Sequence, residues 1–248
     1  MPRDRLRPAV IDRPSPNHDA RPKGQPIDIL LLHYTDMLNG KAALKRLTDP
    51  VARVSAHYCV DEDGTVYRLV AEQRRAWHAG ISYWAGARDI NARSIGIELV
   101  NPGHTCGYRP FPEAQMRALE DLMRGILARH PIPAHRVLGH SDVAPARKID
   151  PGELFDWQRL ARVGIGLWPQ PLGFPDPGPA QRPREIADLQ SMLGRLGYGV
   201  GVTGILDQTT CQALSAFQRH FRPTDFAGRP DGETRRLLAA LVAQIASH

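Results

Sequence analysis

Two histidines, an aspartate and a lysine stand where they could carry out hydrolytic chemistry. His140, Lys148 and Asp150 fall within LGHSDVAPARKIDPG, a stretch whose prolines fix its path, and His33 closes the apolar run DILLLHYT far upstream. Imidazole nitrogens and a carboxylate oxygen are ordinary zinc ligands, and a set of three leaves a fourth position for water, which separates a catalytic zinc from a structural one. Zinc brings the pKa of a water it binds down to about 7. The residues therefore predict a metallohydrolase with one Zn2+ on His33, His140 and Asp150. Taken alone, a histidine at a strand end is more often a packed residue, and the sequence does not show that the three meet.

Other residues add to this set. Glu98 lies in the apolar stretch IGIELV, where Ile95, Ile97 and Leu99 alternate with Gly96 and Glu98. Carboxylates are almost never fully buried unpaired. Glu98 shares its face with a glycine, which suits a general base lining a cleft; the plainer reading is the outer face of a half-exposed strand. Lys148 is either a solvated loop lysine or the cation that stabilises the oxyanion formed at an attacked carbonyl. The Arg147 guanidinium beside it has the geometry to hold a substrate carboxylate. His78, flanked by Trp77 in AWHAG, resembles a cleft wall. His57 in RVSAHY reads as a satisfied core histidine, and His18, His104, His130, His135, His220 and His248 read as surface residues. No GxGxxG, P-loop or HExxH zinc helix occurs.

These residues need elements to position them. DILLLHYT (28–35) and SIGIELVN (94–101) are continuous apolar runs, the pattern of buried strands. AHYCVDEDGTVYRLV is a hairpin signal turning at Asp63-Gly64. GKAALKRLTD and PEAQMRALEDLMRGILARH predict helices, the second with Pro112 near its first turn. The fold class is α/β: a mixed central β-sheet flanked by helices, followed by a small three-helix domain. The expected organisation is an extended N-terminal arm over 1–26, a catalytic domain over 27–167, a proline-rich linker over 168–183 and a helical domain over 184–248. The last region repeats a "G…T…L" pattern.

Net charge is +6 from 32 basic and 26 acidic residues, a mild excess spread without blocks, so nucleic acid is not an expected partner. No apolar run approaches the ~18 residues of a membrane span, so membrane insertion is not expected either. The three cysteines (Cys59, Cys106, Cys211) are far apart, with no CxxC, and suit a reducing compartment.

Together the blocks PSPNHDARP, LLLHYT, RVSAHY, DEDGTVYRLV, RAWHAG, SIGIELVN and LGHSDVAPARKIDPG resemble the zinc-dependent N-acetylmuramoyl-L-alanine amidases of the amidase-2 class, the AmpD/AmiD group, over about residues 12–165. The resemblance implies zinc on His33, His140 and Asp150, Glu98 as base and Lys148 as oxyanion stabiliser. It also implies substrate contacts from Arg53, Trp77, His78 and Arg147. The implied reaction is hydrolysis of the amide joining the lactyl group of (1,6-anhydro-)N-acetylmuramic acid to L-alanine of the stem peptide, in peptidoglycan recycling. IADLQSMLGRLGY, GILDQTTCQALSAFQ and GRPDGETRRLL resemble a peptidoglycan-binding-1 module, with FRPTDFAGRPDGET departing from its usual compact loop.

The expected partner is a muropeptide or peptidoglycan fragment; oligomeric state is not legible. The N-terminus has no apolar segment of a secretory signal, so a cytoplasmic location is expected, while the module and linker point to the periplasm as the alternative. The rival functions are a lysin-type amidase acting on polymeric peptidoglycan and a non-catalytic peptidoglycan-binding protein.

Overall fold

The computed structural model describes residues 10–170 and 176–247. The chain divides into two compact units, one comprising the described residues up to Gly80 with Asn91–Ile132, the other Ile81–Ile90 with the described residues from Pro133 onward.

The first unit is built on a sheet. Its strands are β1 (Val10–Asp12), β2 (His18–Ala20), β3 (Ile29–Tyr34), β4 (Tyr58–Val60), β5 (Val66–Arg68), β6 (Arg74–Ala76) and β7 (Ser94–Leu99). Helices α1 (Gly40–Thr48), α3 (Gly103–Cys106) and α4 (Glu113–Arg129) accompany them, and α2 (Ile90–Arg93) leads into β7. Five strands run in the order β1-β5-β4-β7-β3. Only β4 and β5 pair antiparallel; β1–β5, β4–β7 and β3–β7 are parallel, so the sheet is mixed.

Every residue of β3 and β7 is buried. That matches their uninterrupted apolar sequences, because a parallel strand covered on both faces has no solvent side to mark with polar residues. Burying each leucine or isoleucine contributes about 1.5–3 kcal/mol. Helix α4 joins the sheet through its apolar stripe and through buried Gln115, whose Nε2 donates to Val60 O and Val100 O at 2.9 Å each.

The expected N-terminal arm is more than an extended segment. From Val10 on it supplies β1, parallel to β5, and β2, antiparallel to β6; residues 1–9 lie outside the described residues. Side chains bind it to distant main chain. Asn17 Nδ2 donates to Asp49 O and Val54 O, and the Arg21 guanidinium donates to Glu72 O, Asn91 O, Ala92 O and Ser94 O.

The second unit holds strand β8 (Val137–Gly139) and helices α5 (His140–Val143), α6 (Trp157–Arg162), α7 (Pro183–Leu196), α8 (Gln208–Phe221) and α9 (Gly232–Ala246). The repeat sensed in the sequence has a structural basis. Gln190 on α7 donates to Thr210 Oγ1 and Ile205 O and accepts from Thr203 N and Gly204 N. Gln218 on α8 does the same one repeat later, donating to Thr234 Oγ1 and Arg229 O and accepting from Gly228 N. Asp207 and Asp231 cap the helices that follow, bonding Thr210 N and Thr234 N. In the expected linker, residues 171–175 lie outside the described residues, while 177–180 are bonded to the helical region through Arg235 and Pro230 O.

Candidate active site

Strand register sets the first group of site residues. His33 on β3 pairs directly with Glu98 on β7, so the two side chains leave the same face of the sheet, where the parallel strands end together. Both are buried, His33 at 1% and Glu98 at 8% exposure. The space over Gly96 is not open cleft, as the alternation suggested. It holds the His78 imidazole, and a Cβ at position 96 would lie 2.5 Å from that ring. His78 Nδ1 sits 3.0 Å from His33 Nε2, and Asn91 Oδ1 accepts from its backbone N–H. His78 therefore touches the candidate ligand His33 directly.

His57 behaves as the sequence suggested. Its Nδ1 accepts from Gly96 N at 2.9 Å, and burial, helped by the Arg21 charge, pushes its pKa down to about 3, so it stays neutral and structural. The Cys59 thiol, paired in register with Glu98, is pushed well up by burial and by the Glu98 charge. Arg53 has a left-handed backbone (φ 49°) and stacks its guanidinium 5.8 Å from the Trp77 ring, whose Nε1 donates to Asp19. These two thus form an Arg-over-Trp cation–π pair.

Short turns carry the second group. His140 opens α5 and Asp150 ends the following loop; both are buried, and His140 Nδ1 lies 3.1 Å from Asp150 Oδ2. Ser141 N donates to Asp150 O, fastening the two ends of the segment together. Arg147 is exposed, donates to Ile81 O at 2.8 Å and lies 3.4 Å from His140 Nε2. Lys148 is half-buried, its backbone N–H bonds Ala144 O, and its ammonium pairs with no carboxylate among the described residues.

One ligand atom from each of His33, His140 and Asp150 lies within 4.8 Å of the others, and all three residues are buried. Two imidazoles and one carboxylate converging at that spacing fit a divalent metal of zinc's preferences.

A second cluster in the same segment was not legible in the sequence. Asp142, 1% exposed, accepts from Gly139 N at 2.8 Å and from the Tyr198 hydroxyl at 2.6 Å, and lies 2.8 Å from His220 Nδ1. His220, expected at the surface, is 4% exposed and stacks on Trp157 and Phe221. His130, also expected at the surface, is half-buried and bonds Glu72 Oε2 at 2.8 Å. The repeated G…T…L pattern of the helical region pointed to its two similar halves, and it did not mark Tyr198 or His220.

A family described as N-acetylmuramoyl-L-alanine amidase matches residues 23–153, more than half of the chain. The chain belongs to the N-acetylmuramoyl-L-alanine amidases. The amidase-2 family is zinc-dependent. A second family, described as a peptidoglycan binding domain, matches residues 182–238. The amidase AmiD of Escherichia coli is 42% identical over 231 residues, covering 87% of this chain and 82% of that protein. The 1,6-anhydro-N-acetylmuramyl-L-alanine amidase AmpD of Enterobacter cloacae is 36% identical over 164 residues, covering 59% of this chain and 86% of its own. Among solved structures, E. coli AmiD in complex with anhydro-N-acetylmuramic acid-L-Ala-D-gamma-Glu-L-Lys superposes with a TM-score of 0.79 at 38% identity, covering 91% of this chain and 93% of that one. AmpDh3 of Pseudomonas aeruginosa with an anhydromuramic pentapeptide gives 0.77 at 34% identity, covering 90% and 94%.

Proposed function

We propose that this amidase hydrolyses the bond between the lactyl carbonyl of (1,6-anhydro-)N-acetylmuramic acid and the amine of L-alanine, with zinc held by His33, His140 and Asp150. The convergence of those three buried ligand atoms carries the reading, and the anhydromuropeptides bound to AmiD and AmpDh3 support the substrate class. Zinc, when bound, supplies Lewis acidity and lowers the pKa of water to about 7.

The protein supplies the remainder. Glu98, paired in register with His33, takes the proton of the attacking water and returns it to the departing L-alanine amine, the usual double duty of a positioned carboxylate. Lys148 stabilises the negative charge that develops on the carbonyl oxygen. His78 holds the His33 ring in place through their 3.0 Å contact. Arg53, Trp77 and Arg147 contact the muropeptide.

We also propose a cytoplasmic site of action on recycled fragments, supported by three cysteines that all remain unpaired. Recovery of the native protein chiefly from a periplasmic fraction would overturn that location. The match of residues 182–238 to a peptidoglycan binding domain favours a second reading, action on polymeric wall. Mass spectrometry of products from a soluble anhydromuropeptide and from intact sacculi separates the two. Release of free stem peptide from the soluble fragment alone supports recycling, release from sacculi as well supports wall cleavage, and release from neither refutes the substrate assignment.

A further inference from the structure

The helical module does more than follow the catalytic residues along the chain. Asp142 lies two residues after His140, within the turn that also anchors Asp150. Its carboxylate is almost fully buried and is met by three donors, of which the only one from its own neighbourhood is Gly139 N–H. The other two come from the helical region, the Tyr198 hydroxyl just past α7 and the His220 ring on α8. A buried carboxylate left with a single donor is strongly destabilising, so the α5 turn depends on residues far downstream to keep its shape.

The two donors are themselves held tightly. Tyr198 packs edge-on against Trp84 at 4.9 Å between ring centres, and burial together with the Asp142 charge keeps its phenol protonated as a donor. The approach is so close that Gly197 (φ 131°) admits no side chain, since a Cβ there would fall 2.4 Å from the Trp84 ring. Ala85 N donates to Gly197 O, and Tyr83 N donates to Val143 O at the end of α5. His220 lies flat against Trp157, ring centres 3.7 Å apart, which fixes the direction of its Nδ1.

We propose that the peptidoglycan-binding-like module is a positioning element of the amidase site, in which Tyr198 and His220 clamp Asp142 and thereby hold the turn that presents His140 beside Asp150. This rests on the assignment of His140 and Asp150 as zinc ligands. Tyr198 and His220 touch neither substrate nor metal; they act through Asp142. Groups outside the ligand set commonly change metal affinity 10- to 100-fold when removed.

The test uses the full-length chain carrying Tyr198→Phe, which keeps the ring, or His220→Ala. Zinc affinity is measured by chelator competition, and kcat and KM on a soluble anhydromuropeptide. The expected result is zinc binding weakened about tenfold in each variant, with kcat reduced and KM unchanged. His220→Asn, whose amide can offer a donor near the Nδ1 position, should recover most of the loss. Tyr198→Phe should also have no further effect once Asp142 is already Asn. Zinc affinity and kcat at wild-type levels in both variants would overturn the proposal, even if melting temperature fell or KM for sacculi rose, since those are the marks of packing and of wall binding. A wild-type chain that bound no zinc would overturn the ligand assignment, and the clamp with it; normal zinc binding in unresponsive variants overturns the clamp alone.

Discussion

The residues assigned to the zinc site are positioned in two different ways. His33 and Glu98 stand opposite each other on adjacent parallel strands, and the main-chain ladder sets their spacing. His140 and Asp150 stand on a four-residue helix and a loop, whose geometry is set by the side-chain bonds of Asp142 to Gly139, Tyr198 and His220 and by a single main-chain bond, Ser141 N to Asp150 O. Register is robust to single substitutions because many main-chain bonds share it. A turn held by a few side chains is not, and this half of the site should respond to changes distant in sequence.

The largest effect expected is from the ligands themselves. His140→Ala or Asp150→Ala should eliminate bound zinc and measurable turnover, as should His33→Ala despite its firmer scaffold. Full metal occupancy in any one variant, read by elemental analysis, would remove that residue from the set.

A second side-chain-held carboxylate sharpens the contrast. Glu72 in the first unit is buried and bonds Tyr58, Arg129 and His130. Burial alone would raise its pKa, but those hydrogen bonds, led by Arg129, hold it at about 2 against an ordinary 4.5. The folded-state value is depressed, so the stabilisation is present above pH 4.5 and is lost as pH falls towards 2. Glu72→Gln should therefore destabilise by at most about 3 kcal/mol at neutral pH, a deficit that closes in acid, while zinc affinity stays unchanged. Denaturant titrations across pH check the first expectation, and a zinc affinity that fell with Glu72 would break the distinction between the two carboxylate clusters.

The smallest effect is expected where register dominates. Gly96→Ala pushes a methyl group against the His78 ring and should cost about 1–3 kcal/mol by overpacking, measured as a shift in the denaturant midpoint. Zinc should remain bound, weakened only as far as the shifted His78 ring braces His33 less well, because the β3–β7 ladder still places His33.

The same division explains what the sequence made legible. β3, β7, α4 and the β4–β5 hairpin were readable because local pattern and burial coincide: apolar runs where both faces are covered, a 3.6-residue stripe, a turn at Gly64 with φ 88°. The candidate ligands were readable because their residue types are uncommon in such surroundings. β1 and β2 were not, since each has three residues and β1 is fully exposed, leaving no apolar pattern. Their anchors, Asn17 and Arg21, bind main chain 32 to 73 residues away. His220 was misread because its partner Asp142 is 78 residues distant, although its helical spacing from Ala213 and Phe217 places it on the buried face of α8.

In the proposed mechanism three residues hold zinc while Glu98 moves the proton. Metal content and turnover measured side by side in wild type and Glu98→Gln test it most directly. One zinc per chain is expected in both proteins, with kcat in the variant lower by roughly 10²–10⁴-fold and wild-type turnover abolished by a chelator. Wild-type turnover that survives complete metal removal, or a zinc-loaded Glu98→Gln enzyme with undiminished kcat, would contradict it.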